Sequence, residues 1–189
     1  MSKNWKKYWK LGVEEFNTEY FDVTKNGELL VNEGNYVFNL HSLVKKYGSP
    51  LEVVFPFVLE KRLSDLRDYF NAFIKIQNYK GKFFYHYPMK VNQNKEFVMP
   101  LISEGAHMEV GSLNELWLVK TLWEKEKVNS KLRVLCNGPK SDSYLKLITE
   151  LKAKGMAIFP IVEDEAEFKK LHKYKGDIGL RVDLNVKAD

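Results

Sequence analysis

The chain has 189 residues, of which 44% are hydrophobic, 14% aromatic and 29% charged, which is typical of a folded globular protein and not of a disordered one. Its formal net charge is +5, and the densest basic stretch, Lys6 to Lys10, is interleaved with Trp5, Tyr8 and Trp9. We interpret that stretch as solvated lysines beside aromatic side chains and not as a nucleic-acid surface. A single cysteine, Cys136, excludes an intramolecular disulfide. Since the sequence has neither a signal core nor the roughly 20 apolar residues of a membrane span, we expect a cytoplasmic protein.

Residues 1–58 are predicted to form an N-terminal segment of short strands and one helix. An Asn-Gly pair at 26–27 lies between two apolar runs, which is the pattern of a β-hairpin turn. Residues 39–47 have apolar side chains at helical spacing, and Gly48 after them is a natural helix end. A strand is predicted over residues 50–55.

Residues 59–189 change to a repeated alternation of strands and helices. A long helix is predicted over residues 60–77, with an apolar face formed by Leu63, Leu66, Phe70, Phe73 and Ile74. Strands are predicted after it at Lys82–Tyr87, His107–Val110, Leu132–Leu135, Ala157–Val162 and Ile178–Leu184. Helices are predicted between them, over residues 95–104, 113–126, 141–154 and 164–173. This βα rhythm predicts a parallel sheet with crossover helices.

Two α/β architectures have this rhythm, an open doubly wound sheet and a (β/α)8 TIM barrel, and the pattern alone does not separate them. A complete barrel needs roughly 250 residues. The sequence offers about five βα units, so as a barrel it is a partial one.

Lys90 is the strongest candidate for chemistry, because it follows the first strand of this series. Side-chain alternation places Lys90 on one face with His86 and Asn92, and that face would point into a barrel. Ligands bind at the carboxyl ends of parallel strands in such folds. Desolvation there favours a neutral amine, which condenses with an aldehyde. The alternative is a solvated lysine at the end of a strand.

Further polar residues follow the later strands. Glu109 ends the second strand, and Ser112 with Glu115 forms either a helix capping box or part of a site. Arg181 shares one face of the fifth strand with Asp183, which indicates either a polar cavity or an edge strand with one solvated face.

Other residue types give no sign of a second site. Cys136 is interpreted as a small buried hydrophobe and not as a nucleophile. The four histidines are scattered, and the sequence has no glycine-rich phosphate motif and no Cys/His spacing of the metal-binding type. The sequence therefore predicts no metal site.

The motifs at the strand ends together resemble those of the fold-type III, alanine-racemase-like pyridoxal-phosphate enzymes, and within them the biosynthetic arginine decarboxylases. The lysine motif is residues 87–93, Tyr-Pro-Met-Lys-Val-Asn-Gln, and the second motif is residues 109–112, Glu-Val-Gly-Ser. The third is residues 136–138, Cys-Asn-Gly, with Lys140, and the last is residues 179–182, Gly-Leu-Arg-Val. Their order and spacing agree with the family over nearly the whole chain, including the aromatic leader of the arginine branch.

Three positions depart from the arginine branch. Val110, Pro139 and Ser141 stand where that branch usually has alanine, tyrosine and an acidic residue. These departures concern substrate preference and not cofactor binding.

The resemblance implies that Lys90 binds pyridoxal 5'-phosphate covalently and, after decarboxylation, either returns a proton or forms its bond to the cofactor again. It implies that Glu109 lies beside the cofactor and that Arg181 hydrogen-bonds near the phenolic oxygen of its ring, with Asn92 and Ser112 supporting these contacts. The implied reaction is the decarboxylation of arginine to agmatine, for polyamine and spermidine biosynthesis, by a homo-oligomer. Mg²⁺ is associated with the arginine branch.

The family's stacking histidine, phosphate loop and second β-domain come after the fifth strand. We therefore expect the chain to be part of a larger enzyme, to have little activity alone, and to pack residues 1–58 against that β-domain. One alternative is another fold-type III decarboxylase, acting on ornithine, lysine, diaminopimelate or carboxynorspermidine. A second is a non-catalytic pyridoxal-phosphate-binding barrel protein. None of these functions involves nucleic acid or a membrane.

Overall fold

The computed structural model describes residues 20–125 and 131–182. The chain forms two compact units, and the border between them lies between Val58 and Leu59. The basic, aromatic stretch near the start of the sequence and Asp183 of the predicted fifth strand lie outside the described residues. No helix within the two described ranges is long and apolar enough to cross a bilayer.

The first unit contains a three-stranded antiparallel sheet. Its strands, in spatial order, are β1 (Phe21–Val23), β2 (Leu29–Glu33) and β3 (Tyr36–Asn39). The predicted hairpin is confirmed, because β1 pairs with β2 and Gly27 in the turn has a φ of +85°. The sequence pattern did not indicate β3 separately from the helix that follows it.

Helix α1 (Leu40–Tyr47) confirms the helix predicted after the hairpin, with Asn39 as its N-cap and Gly48 at its end. The strand predicted over residues 50–55 is wrong, since these residues pair with no strand in the described part of the chain. A strand needs a neighbour to receive its hydrogen bonds. Phe55 instead joins an aromatic cluster, with its ring centroid 5.8 and 5.9 Å from those of two other phenylalanines of this unit.

The second unit contains a five-stranded parallel sheet with helices between its strands. The strands, in the same order along the chain and across the sheet, are β4 (His86–Pro88), β5 (His107–Val110), β6 (Arg133–Cys136), β7 (Ala157–Val162) and β8 (Gly179–Leu180). The helices are α2 (Pro56–Ile76), which spans the border, then α3 (Lys95–Ser103), α4 (Leu113–Lys125), α5 (Asp142–Ala153) and α6 (Glu165–Lys170). The predicted parallel α/β arrangement is confirmed, although β4 and β8 are shorter than predicted.

The order of the strands distinguishes the two architectures that the sequence left open. A doubly wound sheet reverses its strand order at a switch point and has helices on both faces. Here each strand pairs with the next one along the chain, and right-handed crossovers then place the helices on one face. The second unit therefore has the arrangement of five successive βα units of a (β/α)8 barrel.

The sheet has two different faces because side chains alternate along each strand. One face packs on the helices and is buried, with Met108, Val110, Val134, Cys136 and Ile158 in the core. The facing helices contribute Val98, Leu116, Val119, Ile148 and Leu151. The opposite face, which we call the inner face, is half-buried and includes His107, Glu109, Arg133, Leu135 and Phe159.

The apolar face predicted for α2 is largely exposed. Leu63 is buried, whereas Leu66, Phe70 and Phe73 are 36%, 46% and 62% exposed. Helical spacing predicts only that a face is apolar, and its burial depends on the surface that packs against it. Leu63 is the residue of this face that packs into the core of the second unit.

Cys136 lies on the buried face of β6, as expected for a small hydrophobe. Burial raises the pKa of its thiol to about 12, because a thiolate is disfavoured away from water. We expect the native chain not to react with a thiol reagent at mildly alkaline pH, and the chain in denaturant to react fully. Between pH 9 and about 12 only the unfolded thiol ionises, so this residue should lower the stability of the fold as pH rises. Equal labelling rates in the two states would contradict the prediction, and Cys136→Ala gives the unlabelled control.

Candidate cofactor site at the carboxyl ends of the strands

Lys90 lies in the turn that follows β4. Strand β4 ends at Pro88, and the N–H of Val91 donates to the carbonyl of Pro88 at 3.1 Å. Burial still alternates up to this turn, since Tyr87 and Met89 are buried and Lys90 is exposed, and the placement of Lys90 on one face with His86 stays a prediction. The predicted desolvation is wrong, because Lys90 is exposed in this turn. Its amine is consequently accessible to an aldehyde in solution.

The pairing of β4 with β5 brings the Lys90 turn next to Glu109. Pro88 is the register partner of Glu109, and the N–H of Met89 donates to the carbonyl of Glu109 at 2.9 Å. Glu109 is half-buried on the inner face, and its Oε1 accepts a hydrogen bond from Nδ2 of Asn137 at 2.8 Å. Asn137, to which the sequence assigned no separate role, therefore orients this carboxylate.

The side chains of Asn92 and Ser112 both accept hydrogen bonds from nearby backbone N–H groups. Oδ1 of Asn92 accepts the N–H of Asn94 at 2.9 Å, in the loop that precedes α3. Oγ of Ser112 accepts the N–H of Glu115 at 3.3 Å at the start of α4. The predicted capping box is only half formed, because the Glu115 carboxylate accepts the N–H of Gly111, at 2.7 Å, and not that of Ser112.

Arg181 directly follows β8. Its backbone N–H donates to the carbonyl of Val162 at 2.9 Å, which continues the pairing of β7 with β8. Its side chain is 65% exposed, and Nη1 donates to Oε1 of Glu163 at 3.2 Å. A guanidinium has five N–H donors, so this contact leaves donors for a ligand oxygen. The predicted sharing of a face with Asp183 falls outside the described residues.

Sequence reasoning missed two acidic residues that follow β7. Oε1 of Glu163 accepts the N–H of Gly138 at 2.8 Å, and Glu167 forms a buried ion pair with Lys140 at 3.2 Å. A local signal existed for Glu167, since Asp164 three residues earlier is a good N-cap and accepts its N–H at 2.8 Å. No local pattern indicates Glu163, because its partners come from other loops.

Among the candidate residues, the structure brings the Lys90 turn next to Glu109, whereas Arg181, Asn92 and Ser112 make their side-chain contacts with other residues. Glu109 is linked to Asn137 after β6, and Glu163 after β7 is linked to Arg181 after β8. Within the described residues, the side chain of Lys90 has no hydrogen bond or ion pair to Glu109 or Arg181. In the same ranges no group of three or more His, Cys, Asp or Glu residues is placed to hold a metal ion.

The amino end of the inner face carries a pair of histidines. His86 and His107 are register partners with ring centroids 5.1 Å apart. Nδ1 of His107 accepts the N–H of Arg133 at 3.2 Å, which requires that this nitrogen carries no proton. Burial, followed by repulsion from His86 and from Arg133, lowers the pKa of His107 from 6.5 to about 4.

We expect His107 to stay neutral until the pH approaches about 4. Its folded pKa lies below the unfolded value, so its contribution to stability is present above pH 6.5 and is lost as the pH falls through about 4. An NMR titration of the ring Cε1 proton measures this midpoint, with the chain in denaturant as the reference. A native midpoint near 6.5 would contradict the prediction.

Together these features define a barrel-type α/β domain with a candidate ligand site at the carboxyl ends of its strands. The donor set fits a pyridoxal cofactor, because an accessible amine at Lys90 matches an aldehyde and Arg181 has donors for an oxygen. Residues 64–189 match the family described as pyridoxal-dependent decarboxylase, pyridoxal binding domain, and the chain belongs to this family.

Individual relatives agree with this assignment. The chain is 30% identical over 192 residues to a biosynthetic arginine decarboxylase of Chromobacterium violaceum, covering 92% of this chain and 30% of that protein. It is 26% identical over 188 residues to a biosynthetic arginine decarboxylase of Rhodopirellula baltica, covering 93% of this chain and 27% of that one. The chain thus spans less than a third of the length of these relatives.

Solved structures confirm the fold. The biosynthetic arginine decarboxylase from Campylobacter jejuni matches with a TM-score of 0.77 at 24% identity, over 94% of this chain and 32% of that one. A diaminopimelate decarboxylase from M. jannaschi matches with a TM-score of 0.71 at 19% identity, over 90% of this chain and 37% of that one.

Proposed function

We propose that this chain provides the lysine-bearing part of the cofactor site of an enzyme that decarboxylates arginine to agmatine. The observation that carries the proposal is the exposed Lys90 at the carboxyl end of the first parallel strand, in the turn paired with Glu109. Membership of the pyridoxal-dependent decarboxylase family supports the cofactor, and the names of the relatives support arginine as the substrate.

Each residue has a defined task in this proposal. Lys90 would hold the cofactor through Nζ, since its amine is the group that condenses with an aldehyde, and it would deliver a proton to the product. Bound pyridoxal phosphate supplies an electron sink for the electron pair that carbon dioxide leaves behind. Arg181 would donate a hydrogen bond to an oxygen of the cofactor, and Glu109, whose carboxylate is oriented by Asn137, would help to hold it.

Four further properties belong to the proposal through the family resemblance. They are a supply of agmatine for polyamine biosynthesis, a homo-oligomeric assembly, a cytoplasmic location and stimulation by Mg²⁺. Assays with and without a chelator test the metal, and the mass of the native particle in solution tests the assembly.

Substrate choice is tested on the protein purified from its own organism, together with any chain that accompanies it. Carbon dioxide release is measured from carboxyl-labelled arginine, ornithine, lysine and diaminopimelate, each with added pyridoxal phosphate. We expect release from arginine to exceed the others by at least about tenfold, since an arginine site must pair a guanidinium that the others lack. Preferential release from another amino acid would refute arginine and leave the cofactor assignment standing.

Two observations support a second candidate, a decarboxylase of diaminopimelate. The fold of a diaminopimelate decarboxylase matches over 90% of this chain. Pro139 and Ser141 also depart from the arginine branch in the loop after β6. The same substrate panel separates the two.

A further inference from the structure

Glu163 occupies a junction between three loops at the carboxyl end of the sheet. It follows β7, and a single carboxylate oxygen, Oε1, accepts both the N–H of Gly138 at 2.8 Å and Nη1 of Arg181 at 3.2 Å. Its side chain is 21% exposed, whereas that of Arg181 is 65% exposed. The side chain of Glu163 is therefore more restricted in its position than that of Arg181.

A buried ion pair holds the backbone around Glu163. The side chain of Lys140 has no exposed area, and its Nζ donates to the carbonyls of Gly138 and Ile161 and to Oε2 of Glu167. These three acceptors satisfy all the donors of an ammonium group. Oε2 of Glu167 also accepts the N–H of Glu163 at 3.2 Å. These hydrogen bonds connect the loop after β6 to the loop after β7 and fix the backbone at Glu163.

The loop after β6 is fixed on its other side as well. Gly138 has a φ of +73°, and a Cβ there would lie 2.3 Å from the carbonyl oxygen of Gly111 in the loop after β5. Only glycine allows this approach. The N–H group that Gly138 donates to Glu163 is therefore held in place by the neighbouring strand.

We propose that Glu163 is a positioning residue that orients Arg181 toward the cofactor, and that the Lys140–Glu167 pair fixes Glu163 for this task. The inference rests on the proposed function, in which Arg181 donates to the cofactor ring. An exposed arginine samples many rotamers, and a fixed carboxylate that binds Nη1 restricts them while leaving the other donors free. Glu163 itself needs no contact with the cofactor.

The charge of Glu163 is tested separately from its shape. Glu163→Gln retains an oxygen that accepts the N–H of Gly138 but removes the charge that attracts Arg181. The matched control is Glu165→Gln, since Glu165 is 81% exposed and pairs with Lys169 on the surface of α6. Binding of pyridoxal phosphate is titrated by quenching of tryptophan fluorescence in the full chain, and thermal unfolding is recorded without cofactor.

We expect Glu163→Gln to weaken cofactor binding about tenfold, while its thermal midpoint stays close to that of the parent chain, because exposed ion pairs contribute little to stability. We expect Glu165→Gln to change neither quantity. In an Arg181→Met background, Glu163→Gln should cause no further loss of affinity, since the residue that it positions is gone.

Each outcome has a separate meaning. An equal loss of affinity from Glu163→Gln in the presence and absence of Arg181 would overturn the inference, because Glu163 would then act independently of the arginine. Unchanged affinity in Glu163→Gln would overturn it as well. If the parent chain binds no pyridoxal phosphate, the proposed function fails and the inference fails with it, and this result is distinguished by the parent titration alone.

Discussion

Replacement of Lys90 by alanine is expected to abolish covalent attachment of pyridoxal phosphate to the chain. The cofactor is fixed with borohydride, and the labelled peptide is identified by mass spectrometry. In the parent chain the label should map to the peptide that contains Lys90. In the assembled enzyme, loss of the proton transfer alone should lower arginine turnover by about 10²- to 10⁴-fold.

Two further variants test whether labelling needs the primary amine of Lys90, and not merely a positive charge or any exposed lysine. Lys90→Arg keeps the positive charge but has no amine that condenses with an aldehyde, so it should also lose the label. Lys82→Ala removes another exposed lysine of the same unit and should keep the label at Lys90. Because Lys90 is exposed, Lys90→Ala should change the free energy of unfolding by no more than about 0.5 kcal/mol. A label that persists in Lys90→Arg would refute the assignment of this lysine.

Lys140→Met is expected to lower the free energy of unfolding by about 3–5 kcal/mol. The substitution keeps the volume of the side chain but removes three hydrogen bonds, and it leaves the Glu167 carboxylate buried without its cation. The matched control is Lys170→Met, whose lysine is half-exposed and pairs with Asp142 at 2.7 Å. That surface pair should contribute no more than about 1 kcal/mol. Urea denaturation measures both variants.

A double variant identifies the cause of this loss. In Lys140→Met with Glu167→Gln no charge is buried at the pair, and the amide oxygen keeps one of the two backbone N–H groups that the carboxylate accepts. We expect the double variant to be more stable than Lys140→Met alone. If the two are equally stable, the loss comes from packing and not from the unpaired carboxylate.

The sequence predicted the second unit well where its pattern is local. The limits of β5 and β7 agree with prediction residue for residue, because alternating apolar runs between amphipathic helices have few other interpretations. The sequence-based prediction failed where strand formation or burial depends on a neighbouring element of the fold. Residues 50–55 are apolar enough for a strand but have no neighbouring strand within residues 20–125 and 131–182, and Phe73 of α2 has helical spacing but is exposed.

The same limit applies to the candidate site. The motifs predict Lys90, Glu109 and Arg181 as site residues, but they did not predict the turn at Lys90, because the strand stops at Pro88. Glu163 was missed, since a single acidic residue at the start of a helix usually indicates no more than a favourable charge there.

The sequence by itself determined the order of the βα units and the chemical groups that end each strand, because both depend on residues close together in the chain. Only the tertiary structure decided which of these groups meet. Asn137 reaches Glu109 across 28 positions, and Lys140 reaches Glu167 across 27, so each contact depends on the parallel register that sets neighbouring loops side by side. That register results from packing of the buried face against the helices, a property of the whole sheet that no single segment encodes.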